Sequence, residues 1–242
     1  MLISPTKTTK DLGVIMASDF SFSEHIQSLV SSVKSLIAWT MRTFYSRSCD
    51  CMMTIWKQLI IPKLDYGCQI WNPSNKCDIN TLELLQKNFV KRINGISAFN
   101  YWEQLKKLGL YSLQRRRERY LIIYLWKILE GIVPNPKPEQ LYIKYGVTSR
   151  VGRVCNIPVI RNDSCSKLQI NSFSFNAAVI FNCLPKDIRN MSGCNSVIFK
   201  HALDTFLKSI PDEPQIPGYT ICRRAASNSV KDVIHFGDYG EI

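Results

Sequence analysis

The stretch SLQRRRERYLIIYLWKILEG, residues 112–131, predicts a long helix whose two halves differ in character. Apolar and aromatic side chains recur on one face at helical spacing: Leu113, Tyr120, Leu121, Tyr124, Leu125, Ile128 and Leu129. The first two turns instead carry four arginines, Arg115, Arg116, Arg117 and Arg119. The N-terminal amides of a helix already amount to about half a positive charge. Four cations at this end are therefore unfavourable unless an anion lies close to them.

Positive charge is concentrated around this helix. The 242 residues carry a formal net charge of +12 at pH 7. Residues 85–127 hold ten Lys and Arg against two Glu, whereas the chain after residue 150 holds ten basic and eight acidic residues. The basic block therefore predicts an acidic partner, such as a nucleic acid, for residues 85–127.

Periodicity outward from this helix predicts a mainly α (α+β) protein. The expected elements are a strand at 10–18, a helix that begins at a Ser21–Glu24 capping box and extends to about residue 44, further helices at 50–62, 78–95 and 100–109, a β-hairpin within 147–171, and helices at 173–185 and 197–209. A proline-rich segment, residues 131–140, separates the first group of helices from the rest.

Several classes of protein are disfavoured by the sequence. The N-terminal residues lack the pattern of a signal peptide, and the longest apolar run is far shorter than the roughly 20 residues of a membrane span. Nine cysteines without a CxxC pair, and three histidines at no finger spacing, predict reduced, mostly buried thiols and no metal site. We therefore expect an intracellular protein without a membrane partner.

Four blocks, in order, resemble the region after the polymerase palm in non-LTR (LINE-type), jockey-like retrotransposon reverse transcriptases, and two later blocks resemble the end of the same open reading frames. They are TTKDLGVIMASDFSFSEHI (8–26), IWKQLIIPKLDYGCQIWNPSN (55–75), LELLQKNFVKRINGI (82–96), LKKLGLYSLQRRRERYLIIYLWKILEG (105–131), FSFNAAVIFNCLPKDIRN (173–190) and FKHALDTFLKS (199–209). Relatives usually carry Trp before the Asn-x-Leu-Pro of the fifth block, where this chain has Phe181.

The resemblance implies part of an RNA-directed DNA polymerase. The family uses an upstream endonuclease and a palm whose Asp pair holds two Mg²⁺ ions. This chain has no adjacent aspartates and no Phe/Tyr-x-Asp-Asp motif. We therefore expect no catalytic residue, no cofactor (with Mg²⁺ belonging to the missing palm) and no polymerase activity by the chain alone.

The resemblance also suggests how the chain is organised. The expected segments are a residual palm strand (1–19), a helical thumb-like bundle (20–130), a proline-rich linker (131–146), a small C-terminal α+β domain with a β-hairpin (147–210) and a loose tail (211–242). On this interpretation the chain is a remnant that comprises the thumb and the region downstream of it.

A thumb-like bundle is expected to bind RNA and RNA–DNA duplex through its interactions with phosphates. The candidate residues are Lys87, Lys91, Arg92, Lys106, Lys107, Arg115, Arg116, Arg117 and Arg119, with a secondary set of Arg150, Arg153 and Arg161. A phosphate at the start of the arginine-rich helix would offset its unfavourable charge. Within a retrotransposon ribonucleoprotein, the protein would occupy the cytoplasm and nucleus, and its own missing palm is a further candidate partner.

Three alternatives are compatible with the same residues. Arg115 and Arg119 can form a solvated helix face, with Glu118 in a weak surface ion pair. The chain can be part of a longer, active reverse transcriptase. It can also be a transposon-derived helical scaffold that binds other proteins through its apolar stripes.

Overall fold

A computed structural model describes residues 7–19, 21–133, 144–146, 154–156, 172–214 and 227–236. The fold is mainly helical with small two-stranded antiparallel hairpins, which confirms the predicted fold class. The chain divides into two compact units, Met1–Arg117 and Glu118–Ile242. The division falls inside the arginine-rich helix.

The first unit begins with β1 (Thr8–Asp11) and β2 (Val14–Ala17) and then becomes helical. Its helices are α1 (Ser23–Thr43), α2 (Cys49–Ile55), a π-helical segment (Trp56–Ile60), α3 (Ile61–Asp65), α4 (Cys68–Trp71), α5 (Lys76–Val90), α6 (Tyr101–Leu108) and the start of α7 (Leu113–Leu129).

The single strand predicted at 10–18 is a hairpin instead. Thr8 pairs with Ala17 and Asp11 with Val14, so two residues, Leu12 and Gly13, make the turn. Both have positive φ, 44° and 86°, which is the backbone that a two-residue hairpin turn requires. Alternation of apolar residues across such a turn looks like one continuous strand, and the sequence prediction was therefore wrong here.

The predicted capping box at the start of α1 is also wrong. The N-cap residue is Phe22, and its side chain makes no capping hydrogen bond. Ser23 Oγ donates instead to Asp78 Oδ2 at 2.6 Å, which ties α1 to α5. The apolar stripe that helical spacing predicts for α1 is buried at Ile26, Val30, Val33 and Ile37, but its last member, Phe44, is exposed.

The helix predicted at 50–62 continues past Pro62 and contains a π-helical segment just before it. A proline has no N–H for the usual bond to the carbonyl four residues earlier. Ile61 N donates to Trp56 O, five residues back, within the π-helical segment that precedes the proline. The helix then continues to Asp65, and Trp56 packs against Phe89 with ring centroids 4.8 Å apart.

Helix α6, predicted at 100–109, is capped at both ends by its own residues. Asn100 Oδ1 accepts from Glu103 N at 3.0 Å, and Asn100 N donates to Glu103 Oε2 at 3.1 Å. Gly109 closes the helix with φ +61°, a conformation that glycine adopts without strain. Short-range rules therefore fix both ends of α6.

The second unit holds the rest of α7, the strands β3 (Lys144–Gly146) and β4 (Val154–Asn156), and the helices α8 (Phe173–Asn182), α9 (Lys186–Arg189), α10 (Ser196–Ser209) and α11 (Val230–Phe236). β3 pairs with β4, so the first strand of this hairpin lies in the expected linker, upstream of 147–171. The ring of Trp126 in α7 stacks on that of Phe199 in α10, with the ring centroids 4.4 Å apart.

The expected loose tail contains an ordered helix, α11. Val230, Val233 and Ile234 are buried, and Val230 N donates to Glu118 Oε2 at 2.8 Å. Seven residues are too few for a clear apolar stripe in a polar segment that holds several prolines. This is why the sequence pattern did not reveal the helix.

The six cysteines whose side chains the structure describes are unpaired, but most of these six are not buried. Cys49 and Cys77 are exposed, whereas Cys68 is buried, so the expectation of mostly buried thiols was wrong for this part of the chain. Within the described ranges, no helix has both the length and the apolar character that membrane crossing requires.

Candidate nucleic-acid interface

The start of α7 is stabilised by groups within the protein. Ser112 Oγ accepts from Arg115 N at 3.0 Å and so caps the helix. Glu83 of α5 places Oε1 2.8 Å from Gln114 N, and its Oε2 accepts from Tyr101 OH at 2.6 Å. A carboxylate thus lies at the helix start, where the helix dipole favours negative charge.

Two of the arginines bind side chains at the ends of α3 and α4. Arg116 makes a bidentate ion pair with Asp65, with Nε 3.0 Å from Oδ1 and Nη2 2.7 Å from Oδ2. Arg117 is 4% exposed, and its Nε donates to Asn72 Oδ1 at 3.2 Å. Both guanidinium groups therefore hold α7 against the segment that follows the π-helical turn.

The other two arginines are also used internally. Arg115 has no exposed surface. Arg119 binds Asp204 of α10 in a bidentate ion pair, with Nε–Oδ1 and Nη2–Oδ2 distances of 2.5 and 2.7 Å. Glu118 is buried and bonded to Val230 N, so the alternative of a solvated face with a weak Glu118 pair is wrong.

Arg116 and Arg117 lie near a buried thiol, that of Cys68. Burial and, to a smaller extent, the charge of Asp65 raise the pKa of Cys68 to about 12, although Arg117 and Arg116 act in the opposite direction. Burial outweighs the two cations, so this thiol stays protonated near neutral pH.

The five remaining candidates of the main set are exposed. Lys87 lies in the last turn of α5, Lys91 and Arg92 follow it directly, and Lys106 and Lys107 lie in the last turn of α6. None of the five takes part in an ion pair within the part of the chain that the structure describes. Lys91 and Arg92 begin the loop of residues 91–100, Lys87 lies one turn before it, and Lys107 reaches back to Phe99 of this loop. We call the five together the basic surface.

The loop of the basic surface is held in place by hydrogen bonds. Gln104 Nε2 donates to Phe99 O at 2.8 Å and to Ile96 O at 3.2 Å. Lys107 Nζ lies 4.0 Å from the ring centroid of Phe99. The acidic residue of this region, Glu103, accepts from Asn100 N in the cap at the start of α6, whereas Lys106 and Lys107 lie in the last turn of that helix.

The helix dipole can explain some of these cations without any ligand. Lys87, Lys106 and Lys107 lie at helix C-termini, where positive charge is favourable by about 0.3–1 kcal/mol each. Lys91 and Arg92 lie beyond the last turn of α5. Local stability therefore explains three of the five positions without a ligand.

The secondary set, Arg150, Arg153 and Arg161, lies outside the described residues. Among the residues that are described, no three His, Cys, Asp or Glu side chains are grouped so that they could hold a metal ion.

Comparison with known proteins gives partial matches to polymerases of mobile elements. A stretch of 93 residues, 37% of the chain, is 28% identical to a probable RNA-directed DNA polymerase from transposon X-element of Drosophila melanogaster. Ninety-seven residues, 39% of the chain, are 30% identical to the RNA-directed DNA polymerase from mobile element jockey of Drosophila funebris. Part of this chain is related to non-LTR reverse transcriptases.

The match spans only 10% and 11% of the length of those two polymerases. An uncharacterized protein of Caenorhabditis elegans is 24% identical over 149 residues, which cover 56% of this chain and 75% of that protein. No protein-family model and no solved structure matches the chain. The similarity is thus to a small portion of the polymerases and to a larger portion of the nematode protein.

Proposed function

We propose that this chain is a thumb-like and downstream region of a retrotransposon reverse transcriptase and that it binds RNA or RNA–DNA duplex through the basic surface. The proposal rests on five exposed cations near one loop, residues 91–100, which Gln104 holds by hydrogen bonds. These cations are Lys87, Lys91, Arg92, Lys106 and Lys107. The similarity to RNA-directed DNA polymerases of mobile elements supports it independently.

The physical basis is phosphate neutralisation. An A-form hybrid is recognised by its shape and its phosphate rows, because side chains cannot read its deep, narrow groove. Exposed lysines can reach such phosphates, and the counterions they release make binding strongly dependent on salt. Arg116 and Arg117 of α7 would contribute only indirectly, through the packing of the first unit against Asp65 and Asn72.

The proposal is tested with the triple variant Lys87→Gln, Lys91→Gln and Lys106→Gln. Binding of a labelled RNA–DNA duplex is measured by fluorescence anisotropy between about 50 and 200 mM salt. If all three lysines bind phosphates, the slope of log affinity against log salt becomes shallower by about 2–3, at roughly 0.7–0.9 for each phosphate that is no longer neutralised. The decrease in affinity is expected to be similar for every duplex sequence.

A matched control removes the same charge elsewhere. Lys57, Lys208 and Lys231 are exposed and lie outside the basic surface, so their triple Gln variant tests net charge alone. We expect this control to keep a salt slope close to that of the wild-type protein. Equal slopes for the two triple variants would refute the basic surface as the binding site.

Exposed apolar side chains near the first hairpin favour a second candidate function, protein binding. Leu12, Tyr66 and Ile70 are exposed, and Tyr66 OH donates to Leu12 O at 2.8 Å. Such a patch fits a protein partner, for example a polymerase palm domain or the apolar face of another protein. Light scattering, which measures the molar mass in solution, tests this second function. If the patch binds apolar surfaces, the protein should self-associate even at high salt, and Leu12→Asp should abolish the association.

A further inference from the structure

Three aromatic side chains are exposed at the C-terminal end of α1. Trp39 lies in the penultimate turn, Phe44 is the C-cap residue, and Tyr45 follows with 89% of its surface exposed. Large aromatic rings are costly to leave in water. We call Trp39, Phe44 and Tyr45 the aromatic cluster.

The backbone around the aromatic cluster is braced. Arg47 Nη2 donates to Met41 O at 2.8 Å, and its Nη1 donates to Phe44 O. This guanidinium group therefore caps the last carbonyls of α1 and fixes the segment that carries Tyr45. The exposure of Tyr45 thus belongs to a segment with a defined conformation.

The same segment is joined to the basic surface. Asn94 N, in the loop between Arg92 and α6, donates to Arg47 O at 3.0 Å. The backbone two residues after Tyr45 is thus hydrogen-bonded to the backbone two residues after Arg92. The aromatic cluster and the basic surface are neighbours within the first unit.

The charge around the cluster suits a polyanion. Residues 34–48 contain Lys34, Arg42 and Arg47 and no Asp or Glu, and the next acidic residue along the chain is Asp50. Exposed aromatic rings beside cations are the combination that binds single strands, because unpaired bases stack on the rings while their phosphates meet the cations. In a duplex the bases are already stacked on one another and cannot use the rings.

We propose that the aromatic cluster binds unpaired bases of single-stranded RNA, with Tyr45 as the principal stacking ring. The inference rests on the proposed function, since the phosphates of the same strand would lie along the basic surface. It adds a substrate class, namely a single-stranded segment next to the phosphate-binding loop. A protein partner is the competing occupant, and substitutions at Tyr45 separate the two.

The test compares three substitutions at one position, using a labelled single-stranded RNA of about twelve nucleotides and a blunt RNA duplex as probes. Tyr45→Ala should weaken single-strand binding by roughly tenfold, the effect of losing one stacked base, and leave duplex binding unchanged. Tyr45→Phe keeps the ring and should bind as the wild-type protein does. Tyr45→Leu keeps an apolar side chain without a π face and should behave as the Ala variant.

The outcomes distinguish this inference from the proposed function. Equal single-strand affinity for the Ala variant and the wild-type protein overturns the stacking site, as does full affinity in the Leu variant. The Lys87, Lys91 and Lys106 triple variant should weaken the binding of both probes, so an unchanged affinity there overturns the proposed function instead. Tyr45 is so exposed that its variants should keep the wild-type melting temperature, which is measured as the folding control.

Discussion

The ion pair between Arg116 and Asp65 should be a measurable part of the stability of this protein. Sequence alone suggests that exchanging the arginines of α7 for Gln has little effect on folding. The structure predicts the opposite, because Arg116 Nε and Nη2 hold both carboxylate oxygens of Asp65. A double-mutant cycle of Arg116→Gln, Asp65→Asn and the combined variant isolates the interaction between the two side chains.

The expected magnitude follows from burial and geometry. The side chains of Arg116 and Asp65 are 29% and 19% exposed, between a surface pair and a fully buried one. Surface pairs contribute about 0–1 kcal/mol, and breaking a fully buried pair costs about 3–5 kcal/mol. We therefore expect each single substitution to lower the free energy of unfolding by about 2 kcal/mol, with a coupling energy of about 1–2 kcal/mol.

Urea unfolding followed by circular dichroism measures all four members of the cycle. Arg42→Gln, at an exposed position in the last turn of α1, is the matched control and should change the free energy of unfolding by no more than about 0.5 kcal/mol. A coupling energy below about 0.5 kcal/mol would show that the pair behaves as a surface pair. Asp65 would then not hold the start of α7, and the structural role of Arg116 would be refuted.

Two further predictions concern a thiol and a buried carboxylate. Cys49 and Cys77 are exposed and should react with a thiol reagent at neutral pH. Cys68 should stay protected until the protein unfolds, because burial raises its pKa to about 12 and the thiolate is the reactive form. Labelling of Cys68 in the folded protein at the rate of Cys77, as measured by mass spectrometry, would contradict this prediction. Glu118→Ala should lower the free energy of unfolding by about 1–3 kcal/mol, because it removes the carboxylate that accepts from the buried Val230 N–H. Glu118→Gln retains an acceptor oxygen and should lower it less. Hydrogen exchange of α11 should show reduced protection in the Ala variant, and unchanged exchange there would rule out this role of Glu118.

Local features of the fold could be read from the sequence. The α6 cap depends on Asn100 and Glu103, three residues apart, and the end of that helix depends on Gly109. The stripe of α1 follows from residues three and four positions apart. Interactions of this range are set by the helix geometry itself. The mainly helical class followed from this pattern, although the capping box predicted at Ser21–Glu24, an interaction of the same range, does not form.

Partners that are distant in sequence could not be predicted. Arg116 binds a carboxylate 51 residues away, and Arg119 binds one 85 residues away. In the sequence, Arg115 and Lys106 are equivalent basic residues of one block, yet Arg115 is fully buried and Lys106 is exposed. An arginine side chain has a long aliphatic stem and can be buried once a carboxylate is close. Composition therefore located the basic block, but only the packing of helices brought Asp65 and Glu83 to the start of α7 and left the lysines to the solvent.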